Sequence, residues 1–236
     1  MFGILTKCRH ILYGIKRDGI YYYVKRPYGT LYHLDKYEIL EAIYEEHQYD
    51  SLDVIGRQVI DIGADTGDTA LQFAYRGAKV IYAYEPNVNS MKAFDLTINK
   101  NPYRNIKPFH KAITGKEGYI YINKDAKADR GVGLTEGTFK LETTTLDNIV
   151  KEYAINNGVL KMDCEGSEYE IIDNASDKTL LAFSQMAIEL HKGEGNIVSR
   201  LKKLGYGTKT INKFSKGAFI LLAVFRKGEI QNDIQT

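Results

Sequence analysis

VIDIGADTGDT at residues 59–69 and YAYEPN at residues 82–87 are the stretches that decide the fold of this chain. Each begins as a short apolar strand; the first continues into a glycine turn that opens a helix, and the second ends at Glu85. The carboxyl ends of neighbouring parallel strands form the ligand site of open α/β sheets. We therefore expect a nucleoside across both tips, with Gly63 and Gly67 admitting it closely. Glu85 would accept hydrogen bonds from the ribose hydroxyls.

The turn does not have the pattern of a dinucleotide site. A dinucleotide fingerprint is G-x-G-x-x-G, whose helix N-terminus binds a pyrophosphate, whereas three residues separate Gly63 from Gly67 here. The carboxylates of Asp61, Asp65 and Asp68 surround this turn and would repel a pyrophosphate. They suit a ligand with a cationic centre and an ammonium group, which predicts S-adenosylmethionine. The alternative is an ordinary strand, turn and helix in which the glycines serve only the turn.

The composition is typical of a globular protein of one large domain or a core domain with a small appendage. The chain has 236 residues, of which 44% are hydrophobic and 26% charged. A formal net charge of +2 is too small to imply a polyanionic partner. The two cysteines, Cys8 and Cys164, make no metal-ligand spacing, and neither a signal peptide nor a membrane span is expected. The default expectation is a cytoplasmic protein.

Residues 55–236 alternate between strand and helix patterns. Buried strands are predicted at residues 59–62, 80–84, 106–110, 159–162 and 185–190, and helices at residues 69–76, 88–99, 145–153, 167–174 and 197–204. This alternation predicts a parallel sheet covered on both faces. The last two strands, at residues 208–213 and 218–225, are separated by four residues, a gap that permits only an antiparallel hairpin. The predicted fold class is α/β, with a mixed seven-stranded sheet that closes on this hairpin.

Residues 1–54 are predicted to form a small α+β extension that precedes the main domain. Two strands, at residues 11–15 and 20–24, would flank a turn at residues 17–19; a second turn follows at 27–29, and a helix at 34–48. Within the main domain, the glycine-rich segment after residue 115 predicts a hairpin at 118–122 and a mobile loop at 125–133.

The extension combines tyrosines with basic residues. Nine of the 18 tyrosines lie in the first 50 residues. The basic residues before residue 35, opposed by only Asp18, are Lys7, Arg9, Lys16, Arg17, Lys25 and Arg26. We favour tyrosines that pack against the main core, with the rim of the hairpin as an additional substrate contact. The alternative is a surface that stacks nucleobases or sugar rings.

Polar or charged residues follow all five predicted parallel strands on the ligand side. Residues 110–112 end the third strand, where an adenine would lie, and Asp163 and Glu165 follow the fourth, where they could also cap the next helix. The predicted cofactor-binding residues are Asp61, Gly63, Asp65, Gly67, Asp68, Thr69, Glu85, Asn87, Lys111, Ala112 and Asp163.

A catalytic pair is predicted at the end of the fifth strand. Glu189 and His191 lie two residues apart, on one face of that strand, so the carboxylate could hold the imidazole in one tautomer. We predict His191 as general base, oriented by Glu189, with Asp163 as the second candidate. A metal site is the less favoured alternative and is not predicted. Asp163, Glu189 and His191 could supply its three ligands only if the fourth and fifth strands are adjacent.

Taken in order, these motifs closely resemble the FkbM-type methyltransferase family. The family has D-I-G-A-N-x-G, F-E-P-N, T-L-D, K-I-D-V-E-G-x-E and I-E-x-H, and this chain has similar residues at 61–67, 84–87, 145–147, 161–168 and 188–191. The resemblance extends from about residue 57 to 225. It implies a class I, Rossmann-like three-layer sandwich that binds S-adenosylmethionine. It also implies, most often, methyl transfer to a hydroxyl oxygen of a small molecule or glycan.

The resemblance also assigns roles to individual residues. Asp61, Gly63, Gly67 and Glu85 match the cofactor positions of the family. The active-site edge of the family corresponds to Asp163, Glu165, Glu189 and His191. In two departures from the family pattern, Asp65 stands where asparagine is usual and Cys164 replaces an aliphatic residue.

The expected function is therefore S-adenosylmethionine-dependent O-methylation. One alternative is an RNA methyltransferase that contacts RNA through the amino-terminal hairpin. Another is a nucleoside-binding protein without catalysis. The identity of the acceptor and the oligomeric state do not follow from the sequence.

Overall fold

The computed structural model describes residues 14–44, 46–123, 137–213 and 218–225. The strands are β1 Lys16–Asp18, β2 Tyr21–Arg26, β3 Gly29–His33, β4 Gln58–Ile62, β5 Val80–Tyr84, β6 Ile106–Phe109, β7 Ala112–Ile113, β8 Gly118–Ile122, β9 Phe139–Thr144, β10 Gly158–Met162, β11 Phe183–Leu190, β12 Tyr206–Lys213 and β13 Phe219–Phe225. The helices are α1 Lys36–Tyr44, α2 Asp68–Tyr75, α3 Val88–Asn99, α4 Leu146–Glu152, α5 Glu168–Asn174, α6 Asp177–Leu180 and α7 Ile197–Lys203. No helix in this described part of the chain has the length and apolar character needed to span a bilayer.

A seven-stranded mixed sheet forms the centre of the molecule, as predicted. Its strand order is β12-β13-β11-β10-β4-β5-β6. The five strands from β11 to β6 run parallel to one another, whereas β13 runs antiparallel to both β11 and β12. From β4 the chain adds strands towards one edge, and it later returns to add β10 on the other side. The gap between β4 and β10 is thus the point where strand order reverses, the usual ligand position in such sheets.

Alternate residues of the central strands face two apolar layers. Ile60 and Leu160 belong to one buried cluster with side chains of α4, α5, α6 and α7. Val59 and Val159 point to the opposite cluster, which includes side chains of α1, α2 and α3. Because strands covered on both faces must be apolar on both faces, their near-continuous hydrophobic runs were readable from the sequence. The result is the predicted three-layer sandwich.

The amino-terminal strands pack directly on the second of these layers. The strands β1, β2 and β3 form an antiparallel sheet, and Val24, Tyr28 and Leu31 share a buried cluster with Leu71 and Phe94. Polar contacts reinforce this packing, since the backbone N–H of Tyr32 donates to Thr97 Oγ1 at 3.1 Å. The backbone N–H of Thr30 donates to Asn101 Oδ1 at 2.9 Å.

The strands and helices predicted for the main sheet differ from those observed by at most two residues at either end. The predicted first hairpin is wrong in register: residues 16–18 form strand β1, so the turn falls after Asp18 instead of at residues 17–19. Gly19, with φ of +60°, permits the tight turn that pairs Asp18 with Tyr21. Residues 11–13 of the predicted first strand, the predicted loop at 125–133 and the turn at 214–217 lie outside the described residues.

Three short strands and one short helix were not predicted. They are β3, β7, β9 and α6. The strand β9 pairs with both β7 and β8 in a second small sheet, so the predicted hairpin at 118–122 finds its partner strand across the undescribed segment. The predicted helix at 34–48 begins at Lys36 and ends at Tyr44.

A buried ion pair joins the two strands on either side of the reversal point. Lys161 in β10 and Asp61 in β4 are register partners. The Nζ atom of Lys161 lies 3.3 Å from Asp61 Oδ1, and the side chains are 3% and 0% exposed. Burial alone would lower the pKa of Lys161, but the carboxylates of Asp61 and Asp163 outweigh it and hold the pKa above its usual value.

We expect Lys161→Met to lower the free energy of unfolding by about 3–5 kcal/mol, because it leaves a buried carboxylate without its cation. The double variant Lys161→Met, Asp61→Asn should cost less than the sum of its single variants, because it leaves no buried charge without its partner. Urea unfolding followed by circular dichroism gives these values. Lys79→Met, at an exposed position, is the control and should change stability by less than about 0.5 kcal/mol. If the losses in unfolding free energy of the two single variants simply add in the double variant, Lys161 and Asp61 do not stabilise each other.

Candidate functional site

The glycine turn after β4 lies against the end of β10. Gly63 has φ of +75°, and a Cβ atom on it would stand 1.6 Å from the carbonyl oxygen of Asp163. The turn is also bonded to β5, since the backbone N–H groups of Gly63 and Ala64 donate to the Tyr84 carbonyl at 3.0 and 3.1 Å. Only glycine fits at this position. The turn is therefore held between the tips of two neighbouring strands.

Gly67 is required for a different reason. It precedes helix α2 with φ of +85°, and a Cβ atom there would come within 2.2 Å of the Phe94 ring. Close packing of the turn on α3 thus depends on the missing side chain. Between the glycines, Asp65 adopts φ of +44°, an uncommon conformation for a residue with a side chain.

Glu85 spans the tips of β4 and β5. Its carboxylate accepts the backbone N–H of Asp65 at 2.9 Å on one oxygen and that of Asn87 at 2.6 Å on the other. The residue is 7% exposed. Burial, and then repulsion from Asp65, raise the pKa of Glu85 to about 8. The carboxylate is fixed in place over the turn before any ligand arrives.

Asp61 and Thr69 lie underneath the turn. The Thr69 hydroxyl donates to Asp61 Oδ2 at 2.7 Å, and Lys161 donates to the Gly63 carbonyl at 2.6 Å. The oxygens of Asp61 therefore face protein groups. Asp68 opens α2, and burial together with the nearby Asp65 raises its pKa to about 6. Asp65 and Asp68 give the outer side of the turn its negative charge.

The remaining predicted cofactor residues lie after β5 and β6. The Asn87 side chain caps α3 by accepting the N–H groups of Asn89 and Ser90 at 2.8 and 3.1 Å. Lys111 pairs with Glu142 at 2.9 Å. Ala112 is buried in β7. His110 lies with its Nε2 atom 3.0 Å from the Pro86 carbonyl, so this side of the site links the ends of β5 and β6.

One contact to the glycine turn comes from the amino-terminal sheet and was not predicted. The Nε2 atom of His33 is hydrogen-bonded to Thr66 Oγ1 at 2.6 Å. Both residues are 1% exposed. His33 ends strand β3, whose position in the fold could not be read from the sequence, so no signal in residues 59–69 pointed to it. The turn is therefore supported from below by Lys161 and from the side by His33.

Strands β10 and β11 are adjacent and parallel, so the residues that follow them come together. Around the Nε2 atom of His191 lie Glu189 Oε1 at 3.5 Å, Glu165 Oε2 at 3.6 Å and Asp163 Oδ1 at 3.8 Å. We call these residues, together with Glu168, the His191 cluster. The condition for three metal ligands, adjacency of the fourth and fifth parallel strands, is met.

Glu168 orients His191 and was not among the predicted site residues. Its Oε1 atom is hydrogen-bonded to Nδ1 of His191, and the Glu168 side chain is fully buried. Glu189, predicted as the orienting residue, lies on the Nε2 side of the ring instead. Glu168 begins helix α5 and is the last residue of the segment 161–168 that resembles the family motif, but that resemblance assigned it no role.

The charges around His191 decide its protonation. Burial alone would lower the pKa of His191, but Glu168, Asp163 and Glu165 outweigh it and raise the pKa to about 9. Burial is also the main reason that the pKa of Asp163 is raised. Two chemically distinct halves thus lie side by side: a glycine turn with a clamped carboxylate, and an imidazole among four carboxylates.

Known proteins share this architecture. A family model described as the methyltransferase FkbM domain matches residues 61–208. The structure of M. capricolum TrmK in complex with S-adenosyl-homocysteine is similar, with a TM-score of 0.51 and 13% identity over 78% of this chain and 69% of that chain. Precorrin-6y C5,15-methyltransferase from Geobacter metallireducens GS-15 has a TM-score of 0.49 and 13% identity over 79% of this chain and 88% of that chain.

A viral protein is similar over a short segment. Uncharacterized protein 65 of Sulfolobus islandicus filamentous virus is 43% identical over 49 residues, which are 21% of this chain. The matched segment spans 31% of the viral protein. This chain thus matches about a third of the length of that relative.

We expect Glu85→Gln to weaken binding of S-adenosylhomocysteine about 10- to 100-fold at pH 9, because hydrogen bonds to a charged group contribute about 1.5–3 kcal/mol. With a pKa of about 8 in the free protein, Glu85 is mostly protonated at pH 6. If the ribose hydroxyls bind to the carboxylate, as predicted, wild-type affinity should rise as the pH passes through 8 and level off above it. The ratio of wild-type to variant affinity should therefore approach unity at pH 6.

Calorimetry at several pH values measures this ratio, in which ionisation of the ligand itself cancels. Glu117→Gln, at an exposed position before β8, is the matched control and should bind like the wild type. A ratio that does not change between pH 6 and 9 would contradict the assigned role of Glu85.

Proposed function

This chain belongs to the FkbM methyltransferase family, and on that basis we propose that it transfers the methyl group of S-adenosylmethionine to a hydroxyl oxygen of a small molecule or glycan. Membership makes it an S-adenosylmethionine-dependent methyltransferase. The choice of a hydroxyl acceptor is the proposal. It is carried by one observation: the His191 cluster lies at the ends of β10 and β11, beside the glycine turn.

The glycine-turn half is proposed to hold the cofactor. Glu85 is clamped with its lone pairs available over the turn, and the ribose hydroxyls are suitable donors to them. Asp65 and Asp68 supply negative charge near the positions proposed for the sulfonium and the ammonium group. Asp61 and Thr69 are proposed to act from beneath, by fixing the turn. The arrangement favours a cationic nucleoside over a pyrophosphate.

The other half is proposed to hold the acceptor. The sulfonium methyl is already electrophilic, so the main task of the protein is to align the attacking oxygen with it. A hydroxyl must also lose its proton as the new bond forms. His191 is the first candidate base, and because its pKa is raised to about 9, only the fraction of molecules in which it has lost its own proton can use it as base. Asp163 remains the second candidate base, and either group would act beside the attacking oxygen.

The RNA alternative depended on an exposed aromatic and basic hairpin. Tyr28 and Tyr32 are buried, at 5% and 6% exposure, and Arg26 pairs with Glu46. These contacts support a packing role for Tyr28 and Tyr32, whereas Tyr37 is 52% exposed. We therefore favour a small-molecule or glycan acceptor. A cytosolic location remains the expectation from cysteine usage.

The acceptor class can be tested with S-adenosylmethionine carrying a labelled methyl group. The labelled donor is incubated with separate pools of monosaccharides, glycans, hydroxylated metabolites and total RNA. We expect label in a glycan or metabolite pool. Label only in RNA would replace the proposal by the RNA alternative. No label in any pool, with S-adenosylhomocysteine binding intact, would favour a binding protein without catalysis.

With an acceptor identified, His191→Ala should reduce methyl transfer by about 10²–10⁴-fold, the range for removal of an acid–base group. Affinity for S-adenosylhomocysteine should change by less than about threefold, because His191 belongs to the acceptor half. His47→Ala removes a histidine that is 80% exposed and pairs with the nearby Asp50, and it should change neither quantity. Unchanged transfer in His191→Ala would remove His191 from the mechanism.

A further inference from the structure

We propose that the His191 cluster is a binding site for a divalent metal ion, with Asp163, Glu189 and His191 as the ligands. Binding of the ion stands on the geometry alone, whereas its role in catalysis rests on the proposed function. The site deepens that proposal, because the ion then activates the acceptor hydroxyl, with His191 and Asp163 acting as its ligands and not as general bases.

Three potential ligand atoms converge at this place. One atom each from Asp163, Glu189 and His191 lie within 4.8 Å of one another. Nε2 of His191 is 3.5 Å from Glu189 Oε1 and 3.8 Å from Asp163 Oδ1. Two ligands about 2.1 Å from a tetrahedral ion stand about 3.4 Å apart. The separations of Glu189 and Asp163 from Nε2 of His191 therefore exceed this spacing by only a few tenths of an ångström.

The ligands follow neighbouring strands of the central sheet. Asp163 comes directly after β10 and is bonded through its backbone N–H to the Ile62 carbonyl at 3.0 Å. Glu189 lies within β11, and His191 follows it directly. Tyr169 holds the two residues that follow His191. Its hydroxyl donates to the Gly193 carbonyl and accepts the Lys192 N–H, both at 2.7 Å. Sites on rigid elements keep their ligands close to the required geometry.

Glu168 provides an independent indication of a cation. In metal sites, a ligating histidine usually donates its second ring N–H to a carboxylate, which leaves the other nitrogen facing the metal. Glu168 makes this contact with Nδ1 of His191. It is fully buried, and its Oε2 atom has no hydrogen-bond partner among the described residues. A buried carboxylate without full compensation is costly, and a cation next to it reduces that cost.

The local charge also favours a cation. Four carboxylates surround one imidazole: Asp163, Glu165, Glu168 and Glu189. Lys161 also acts on Asp163, but it pairs directly with Asp61. The cluster therefore carries excess negative charge in a half-buried position.

The donor set indicates the class of metal. Imidazole favours Zn²⁺ and other transition metals, while carboxylates favour Mg²⁺, Ca²⁺ and Mn²⁺. One imidazole with two carboxylates suits Mn²⁺ or Zn²⁺ better than Ca²⁺, which prefers oxygen ligands alone. Three protein ligands leave at least one position open. The Oε2 atom of Glu165, whose side chain is 46% exposed, lies 3.6 Å from Nε2 of His191.

The open position gives the ion a role in methyl transfer. A hydroxyl oxygen bound to the metal loses its proton more readily, and that proton passes to solvent water. The oxygen then donates an electron pair to the methyl carbon, the carbon–sulfur bond breaks, and its electron pair remains on sulfur. The products are a methyl ether and neutral S-adenosylhomocysteine. No oxidant, reductant or further reactant is required.

Metal binding is tested on the full chain after treatment with a chelator. Mn²⁺ is titrated in, with calorimetry and the electron paramagnetic resonance signal of free Mn²⁺ as readouts, followed by competition with Zn²⁺ and Mg²⁺. We expect saturable binding of a single ion. Circular dichroism, recorded on every sample, reports that the protein is folded, and affinity for S-adenosylhomocysteine is measured separately.

Variants locate the ion. Glu189→Gln and His191→Asn should each weaken Mn²⁺ binding more than about tenfold, and Glu168→Gln should weaken it about 10- to 100-fold although Glu168 does not touch the ion. His47→Ala is the matched control for adventitious binding by a histidine beside a carboxylate and should leave affinity unchanged. If binding survives Glu189→Gln and His191→Asn in folded protein, the assigned site is wrong.

The two proposals fail in distinguishable ways. A wild-type protein that binds S-adenosylhomocysteine but no Mn²⁺, Zn²⁺ or Mg²⁺ at millimolar concentration overturns the metal site and leaves the methyltransferase proposal intact. A protein that binds Mn²⁺ without affinity for the nucleoside keeps the metal site and loses the catalytic role. Methyl transfer should fall on chelation and return with Mn²⁺; transfer at full rate in chelated protein excludes the catalytic role of the ion.

Discussion

The contact between the backbone of Gly63 and the carbonyl of Asp163 is the constraint on which both halves of the site depend. It occurs where strand order reverses, between β4 and β10, and the space there would not admit even a methyl group. The same contact fixes the glycine turn relative to the first residue of the His191 cluster. A donor methyl group and an acceptor oxygen must be held about 3–3.5 Å apart and in line, and a misplacement of about 1 Å can cost 10²-fold in rate. Two strand ends locked through their main chains provide that precision without relying on a flexible loop.

The buried carboxylates are compensated in the glycine-turn half of the site but not fully in the His191 cluster. Beneath the turn, Asp61 is balanced by Lys161 and Thr69, and Glu85 is held by two backbone N–H groups. In the His191 cluster the carboxylates outnumber the cations. Four described residues other than glycine have positive φ, and two of them belong to the site: Asp65 in the glycine turn and Glu165 in the His191 cluster. Unfavourable backbone conformations often collect at functional sites.

The sequence was most informative where local pattern and tertiary role coincide. The strands β4, β5, β10 and β11 are buried on both faces, so their apolar runs identified them, and the polar residues after them predicted the edge at which the candidate site lies. The roles of His33 and Glu168 could not be predicted this way. His33 reaches the turn from a strand that begins in a Pro-Tyr-Gly turn and has little apolar pattern. Glu168 contacts His191 across 23 residues, a pairing that exists only after α5 packs against β11.

The packing of strand β3 has a consequence for shortened versions of this protein. The family match begins at residue 61, yet Leu31 fills the layer above the sheet and His33 bonds to the turn. A polypeptide trimmed to the matched segment would expose apolar side chains of α2 and α3 to water and leave Thr66 to bond with solvent. The smallest stable fragment therefore starts well upstream of the family boundary. Sequence comparison alone would mark the cut in the wrong place, because it detects the shared chemistry and not the strand that shields it.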